Sequence, residues 1–95
     1  MVKVVAKSTN KEGTLEEFKS VVAHLVAETR KEEGCISYQL FQDVKDRNVF
    51  TFIEEWQSQE ALQSHMKSKH FTEAMPKLAQ VREKDSEVNI YTLLM

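Results

Sequence analysis

The 95-residue chain has little of what builds disulfide scaffolds or membrane spans. It contains one cysteine, one proline and two glycines. A lone cysteine excludes an internal disulfide, and a reducing compartment is the simplest interpretation. No run of about 18 apolar residues occurs, and the amino terminus has no long apolar segment, so neither a transmembrane helix nor a signal peptide is predicted. We therefore expect a cytoplasmic protein.

The chain also has no large excess of charge of one sign. Thirteen basic against fifteen acidic residues leave a net charge of −2, with the signs interleaved. Nucleic acid is therefore not an expected partner, because phosphate-backbone binding needs a basic surface. With 41% hydrophobic and 29% charged residues, the composition predicts one globular domain over residues 1–95, with a core small enough to favour association with a second copy.

Hydrophobic periodicity predicts a strand and then a helix at the start of the chain. Apolar residues alternate over residues 1–7, which is typical of a strand. Thr14 and Glu17 fit a capping box and should begin a helix. Apolar residues then recur at helical spacing over residues 15–26. Gly34 suits the left-handed residue that closes such a helix.

Two strands, a helical segment and a last strand are predicted in the rest of the chain. Residues 35–44 and 49–56 alternate apolar and polar side chains and form a hairpin around a short polar turn. On the first of them Ile36, Tyr38 and Leu40 share one parity. The order strand, helix, strand, strand, helix, strand predicts a ferredoxin-like βαββαβ fold of the α+β class. One sheet face then lacks helices, and a homodimer through that face would cover it.

The second helical segment, which Ser58 can cap, carries two histidines and a proline. His65 falls on its buried face. In an unbroken helix the rings of His65 and His70 would diverge by about 140°, and they converge only if the helix breaks at residues 68–69. Pro76 inside a helix costs about 3 kcal/mol, so the segment either restarts near Glu73 or kinks.

The two histidines are the candidate catalytic bases, because imidazole titrates near neutral pH. A core role for His65 and an exposed or capping role for His70 are the alternatives. Histidines five residues apart on one helix are poor chelators and no Cys-x-x-Cys is present, so no metal site is predicted. Cys35 is interpreted as an inert buried thiol, and His24 as an exposed side chain.

Aromatic residues near the end of the second hairpin strand predict a substrate pocket. Glu54 shares its strand face with Phe52 and Trp56, where desolvation would raise its pKa and make it an acid or base near neutral pH. Trp56 could wall an aromatic-binding pocket. Tyr38 could bind a substrate oxygen, and Phe71 directly follows the second histidine. Core packing is the alternative for the aromatic residues, and pairing with a cation or solvent exposure for Glu54.

Four segments in this order resemble the antibiotic biosynthesis monooxygenase family, and the likeness covers nearly the whole chain. They are Lys-Glu-Glu-Gly-Cys-Ile-Ser-Tyr at 31–38, Phe-Ile-Glu-Glu-Trp at 52–56, Ala-Leu-Gln-Ser-His at 61–65 and Ser-Lys-His-Phe at 68–71. The resemblance implies ferredoxin-fold protomers that pair their sheets into a dimeric α+β barrel. Some members oxygenate quinols or anthrones without a cofactor, by deprotonating an electron-rich phenol whose anion reduces O₂. The resemblance implies that His65 or His70 is the base and that Trp56 is the wall on which the substrate ring stacks.

Other members of the family isomerise a phosphorylated signalling molecule or degrade heme. Val-Val-Ala-Lys at 4–7 stands where heme degraders and some monooxygenases have an asparagine, and Met75 stands where a heme-ligating histidine is expected. Heme degradation is therefore not expected, nor a monooxygenase mechanism that needs that asparagine. The isomerase is the second hypothesis, with Lys69 as the local basic residue for a phosphate. A non-catalytic, small-molecule-binding dimer is the third, and no membrane partner is expected for any of them.

Overall fold

The computed structural model describes all residues, 1–95, and contains four strands and three helices. In chain order they are β1 (Val2–Thr9), α1 (Leu15–Thr29), β2 (Cys35–Gln42), β3 (Val49–Trp56), α2 (Gln59–Met66), α3 (Lys69–Val81) and β4 (Glu87–Thr92). Neighbouring strands are antiparallel in the order β2-β3-β1-β4. This is the predicted ferredoxin-like arrangement, with the second helical segment divided in two. None of the helices has the length and apolar character needed to cross a membrane.

The core lies between the helices and one face of the sheet. Strand alternation buries one parity of β1 and β3, and α1 and α3 each contribute an apolar stripe. The most deeply buried aliphatic side chains are Leu25 and Val81, each 1% exposed, and full burial of such a side chain contributes roughly 1.5–3 kcal/mol. The members of the hydrophobic core cluster in these elements are Val2, Val4, Phe18, Val22, Leu25, Phe50, Phe52, Trp56, Ala74, Leu78 and Val81.

Helix α1 begins after Thr14 as predicted, but its capping differs from the prediction at both ends. Thr14 is the N-cap residue, but its hydroxyl donates to the Lys11 carbonyl at 2.7 Å and makes no capping bond. The predicted capping box is wrong, because Thr14 lacks the extended backbone that a side-chain cap needs (φ −106°, ψ 9°). Gly34 is left-handed (φ +87°), yet it stands four residues beyond the helical C-cap Arg30 and does not close α1.

A β-bulge changes the predicted faces of β2. The register with β3 shifts between Cys35 and Ser37. Cys35, Tyr38 and Leu40 therefore pack against the core, while Ile36 is 49% exposed. The prediction that Ile36 shares a face with Tyr38 is wrong, since one extra residue in a strand reverses the side-chain alternation before it.

The break between α2 and α3 confirms the predicted interruption of the second helical segment. The Ser68 hydroxyl accepts a hydrogen bond from the Phe71 N–H at 3.3 Å and donates to the His65 carbonyl at 2.6 Å. The Ser68 hydroxyl therefore caps α3 and also hydrogen-bonds a carbonyl at the end of α2. Helix α3 restarts here rather than near Glu73, and it continues through Pro76. The cap at Ser68 thus places the break upstream of the proline.

Candidate active site

An apolar cavity of about 190 Å³ lies between the sheet and the helices. Thirteen of its 18 lining residues are hydrophobic. An engineered apolar cavity of about 150 Å³ holds benzene, so this one has room for a single aromatic ring. The lining residues with polar or charged side chains, apart from Tyr38, are Ser8, Glu54, His65, Arg82 and Ser86.

His65, which lines this cavity, has one imidazole nitrogen without a hydrogen-bond partner. The side chain is 1% exposed, and its Nδ1 lies 2.6 Å from Glu32 Oε2. Because a carboxylate accepts, Nδ1 carries the proton and Nε2 keeps its lone pair. Nε2 is buried without a hydrogen-bond partner. His65 lines the cavity and Glu32 does not, so the unpartnered Nε2 belongs to a cavity-lining side chain.

The pKa of His65 is below its ordinary value. Burial, which disfavours the imidazolium, is the main cause, and it outweighs the hydrogen bond and charge of Glu32, which raise the pKa. His65 is therefore neutral at neutral pH. A neutral imidazole with an unengaged Nε2 in an apolar cavity is suited to accept a proton from a bound ligand.

Glu32 joins the two histidines that the sequence analysis selected. Its Oε2 accepts from His70 Nε2 at 2.7 Å as well as from His65, and the two imidazole centroids are 6.0 Å apart. His70 does not line the cavity. We call Glu32, His65 and His70 the carboxylate–imidazole cluster. The sequence analysis missed Glu32, although it lies in the segment at 31–38 that carries the family resemblance.

The carboxylate–imidazole cluster also has the composition of a metal site. Its three ligand atoms lie within 4.8 Å of one another, and imidazole with carboxylate suits zinc and other first-row divalent ions. The helix break removes the geometric argument against chelation, which assumed one continuous helix. A bound ion would lie behind His65, on the side away from the cavity, because neither Glu32 nor His70 lines the cavity.

Glu54 and Trp56 form a second buried polar pair. Glu54 is 5% exposed and lines the cavity. Burial raises its pKa to about 7, against the lowering effect of the Trp56 Nε1–H that donates to Oε1 at 2.9 Å, while the charge of Glu32 raises it further. Trp56 is fully buried and does not line the cavity. The centroids of the Trp56 and His65 rings are 4.7 Å apart, with an angle of 34° between the ring planes. Trp56 therefore packs against His65 and hydrogen-bonds Glu54 without lining the cavity itself.

Besides Glu54, the predicted substrate-binding residues Tyr38 and Phe71 line the cavity. The rings of Tyr38 and Phe71 meet the His65 ring edge-on, at centroid distances of 5.5 and 4.9 Å. Burial, and then the charge of Glu54, raise the pKa of Tyr38, so its hydroxyl stays protonated. Lys69 is exposed and outside the cavity lining, where Arg82 is the basic residue instead. The sequence analysis did not select Arg82.

Cys35 and His24 remain outside the site, as expected. Cys35 is half-buried, and burial raises the pKa of its thiol, which disfavours the reactive thiolate. His24 is exposed on α1.

Comparisons with known proteins point to one family. The model of the family described as antibiotic biosynthesis monooxygenase matches residues 1–77. A crystal structure described as an antibiotic biosynthesis monooxygenase is 34% identical and has a TM-score of 0.95 over 100% of both chains. A conserved protein from Methanosarcina mazei Go1 is 39% identical, with a TM-score of 0.93 over 95% of this chain and 89% of that chain. An uncharacterized Synechocystis protein, sll1783, is 33% identical over 78 residues, which are 82% of this chain and 53% of that protein, so the match spans about half the length of this curated relative.

Proposed function

The chain belongs to the antibiotic biosynthesis monooxygenase family, and on this premise we propose that it is a cofactor-independent monooxygenase of a small phenol or quinol-like compound. The observation that carries the proposal is the buried, unpartnered Nε2 of His65, a side chain that lines an apolar cavity with room for one aromatic ring. Such a cavity excludes water and confines reactive intermediates.

His65 acts as the general base in this proposal. Its Nε2 takes the proton of the substrate hydroxyl, a step that contributes typically about 10²–10⁴-fold to the rate. Glu32 holds the imidazole in the required tautomer through Nδ1, 2.6 Å from its Oε2. The same carboxylate stabilises the imidazolium as it forms, because its negative charge is already in place.

O₂ is the only co-reactant that the proposed reaction needs. For hydroquinone, one molecule of substrate and one of O₂ give hydroxyquinone and water. The phenolate passes one electron to O₂, and the aryloxyl radical and superoxide combine to form a C–O bond. The resulting peroxide anion takes back the proton that His65 removed from the substrate. The hydroperoxide so formed loses water as its O–O bond and the C–H bond at the same carbon break, which leaves a new carbonyl. With a pKa of about 7, Glu54 is placed to give the departing oxygen a proton and to recover one afterwards.

We further propose a homodimer through the sheet face without helices. Phe41 and Tyr91 lie on that face and are 47% and 51% exposed. Exposed aromatic side chains on an uncovered sheet are typical of an interaction surface. Light scattering coupled to size exclusion should give twice the 11.0 kDa chain mass. The F41E/Y91E double variant should elute as a monomer, and a monomeric wild-type protein would contradict the assembly.

Oxygen uptake by metal-stripped protein tests the activity. A panel of hydroquinones and anthrone-like phenols should be consumed faster than in buffer alone, and H65A should fall by about 10²-fold or more. H24A is the matched control, since His24 is exposed on α1, and should retain the wild-type rate. A wild-type rate in H65A would remove the assigned base.

An isomerase of a phosphorylated compound is the second candidate. Arg82 in the cavity lining favours it, because a phosphate needs a cationic partner. The same base and acid could move a proton between two carbons of such a substrate. Product formation without oxygen uptake would select the isomerase.

A further inference from the structure

A guanidinium lies at the end of the cavity away from His65. One face of α3 lines the cavity with Phe71, Met75, Leu78 and Arg82. Phe71 contacts the His65 ring, and the Arg82 backbone follows it by eleven residues, or about 16 Å at 1.5 Å per residue. The Arg82 side chain shortens this separation, because its Nε reaches back to the Leu78 carbonyl. The cavity therefore has an acid–base end and a separate cationic end.

Arg82 has no acidic partner. Its Nε donates to the Leu78 carbonyl at 3.4 Å and its Nη1 to Ser86 Oγ at 2.9 Å. No carboxylate lies within 4.0 Å of it, and Nη2 has no acceptor in the protein. Arg47, by contrast, pairs with Glu12. The long bond to Leu78 serves the end of α3 and leaves the Nη2 donor available to a ligand.

Ser8 and Ser86 are the serine side chains that share the cavity lining with Arg82, whereas the acidic residues that follow it in the chain, Glu83, Asp85 and Glu87, do not line the cavity. Ser86 Oγ accepts from Arg82, so its own proton is available to a ligand. Ser8, also on the cavity, donates to Asn10 Oδ1 at 2.6 Å, and the buried Asn10 Nδ2 has no partner. The acidic residue of the lining, Glu54, pairs with Val4 on β1, whereas Arg82 bridges to Asn10, which is six residues further along the chain, or about 20 Å. No negative charge of the lining therefore balances Arg82.

We propose that Arg82 and Ser86 form an anion subsite, and that the substrate is a phenol that carries a carboxylate or phosphate on the side away from the reacting hydroxyl. A guanidinium recognises either anion through paired N–H donors. The reacting end of this substrate rests on the proposed function, whereas the anion subsite requires no turnover. A single ring with a short acidic side chain suits the 190 Å³ volume.

Anaerobic binding measurements test the subsite without catalysis. Calorimetry would compare 4-hydroxyphenylacetate with 4-hydroxyphenylacetamide, which has the same shape and no charge. We expect the acid to bind at least about 10-fold more tightly than the amide to the wild type, which corresponds to about 1.4 kcal/mol. In R82Q this preference should disappear, and R82K should keep part of it. K77Q removes an exposed charge from α3 outside the cavity and should bind like the wild type.

Equal affinity of the wild type for acid and amide would overturn the subsite, as would a preference that survives in R82Q. In a second arm, 4-hydroxyphenyl phosphate replaces the acid. Tighter binding of either anion with the same Arg82 dependence supports the subsite and identifies its anion. Arg82-dependent binding without oxygen uptake would remove the monooxygenase and keep the subsite. Oxygen uptake with neutral quinols and no preference for the acid would remove the subsite and keep the monooxygenase.

Discussion

Replacing Glu32 by glutamine tests whether the shared carboxylate sets the basicity of His65. The two side chains have nearly the same shape, so E32Q removes the charge with little change in packing. In the wild type, Oε2 accepts from both imidazoles, at 2.6 and 2.7 Å. A hydrogen bond to a charged group contributes about 1.5–3 kcal/mol. If this stabilisation is gained as the imidazolium forms, its loss should lower kcat by roughly 10–100-fold.

The pH dependence separates this role from a purely structural one. Glu32 raises the pKa of His65, while burial lowers it more. Without the carboxylate only the lowering effect remains, so the pKa of His65 should fall further in E32Q. The base must be neutral to act, and activity is lost as pH falls through this pKa. The acidic limb of the kcat/KM profile should therefore move to lower pH, while the plateau drops.

Two measurements check this expectation. NMR titration of the His65 ring gives its pKa without turnover, and oxygen uptake from pH 5 to pH 9 gives the limb. E33Q, at an exposed neighbouring glutamate, is the matched control and should leave both unchanged. An unshifted His65 pKa in E32Q, or a plateau equal to that of the wild type, would refute the assigned role of Glu32.

Three further predictions concern stability and metal. The folded-state pKa of Glu54 is raised from 4.5 to about 7, so its ionised form destabilises the fold by roughly 3 kcal/mol above neutral pH. The E54Q variant should therefore have a higher Tm than the wild type at pH 8, and this gain should fade towards pH 4.5. A gain in Tm that does not depend on pH would contradict the linkage. The G34A variant should lose roughly 2–4 kcal/mol of unfolding free energy, because φ is +87° and the new Cβ would lie 2.6 Å from that of Ala61. The control G13A, with φ +82° and open space around it, should lose only about 1–2 kcal/mol. Equal losses in urea titrations would refute the contact with Ala61. Chelation should leave oxygen uptake unchanged, because the carboxylate–imidazole cluster lies behind His65, whereas a loss restored by one metal ion would show that the cluster holds a catalytic metal.

The order of the elements could be predicted because each has its own hydrophobic period. Alternation marks β1 and β3, and the 3.6-residue stripe marks α1. The bulge beside Ile36 could not be predicted, since it depends on how β2 registers with β3. The side-chain bond of Thr14 was missed for a similar reason, because its direction depends on the backbone conformation at that residue rather than on sequence spacing.

The candidate site was predictable where each residue carries a signal in its own segment, as Tyr38 and Glu54 do on their aromatic strands. His65, His70 and the break between them come from one helical segment, and periodicity with capping chemistry was enough to find them. Glu32 lies 33 residues before His65, and it reaches the site through the turn between α1 and β2. Arg82 looks like an ordinary basic residue at the end of a helix. Only the three-dimensional arrangement shows that it has no acidic partner and that it lines the cavity.

Burial acts in opposite directions on the two titratable groups of the acid–base end. It lowers the pKa of His65 and raises that of Glu54 to about 7. In the proposed mechanism the base is therefore uncharged near neutral pH and the acid is about half protonated, so a phenol would enter without desolvating a full charge on each group. Charge appears on the imidazole only as the proton moves, and the Glu32 carboxylate is already hydrogen-bonded to its far nitrogen. Electrostatic stabilisation thus increases as the reaction proceeds, and an interaction that strengthens towards the transition state accelerates the chemical step rather than only tightening binding.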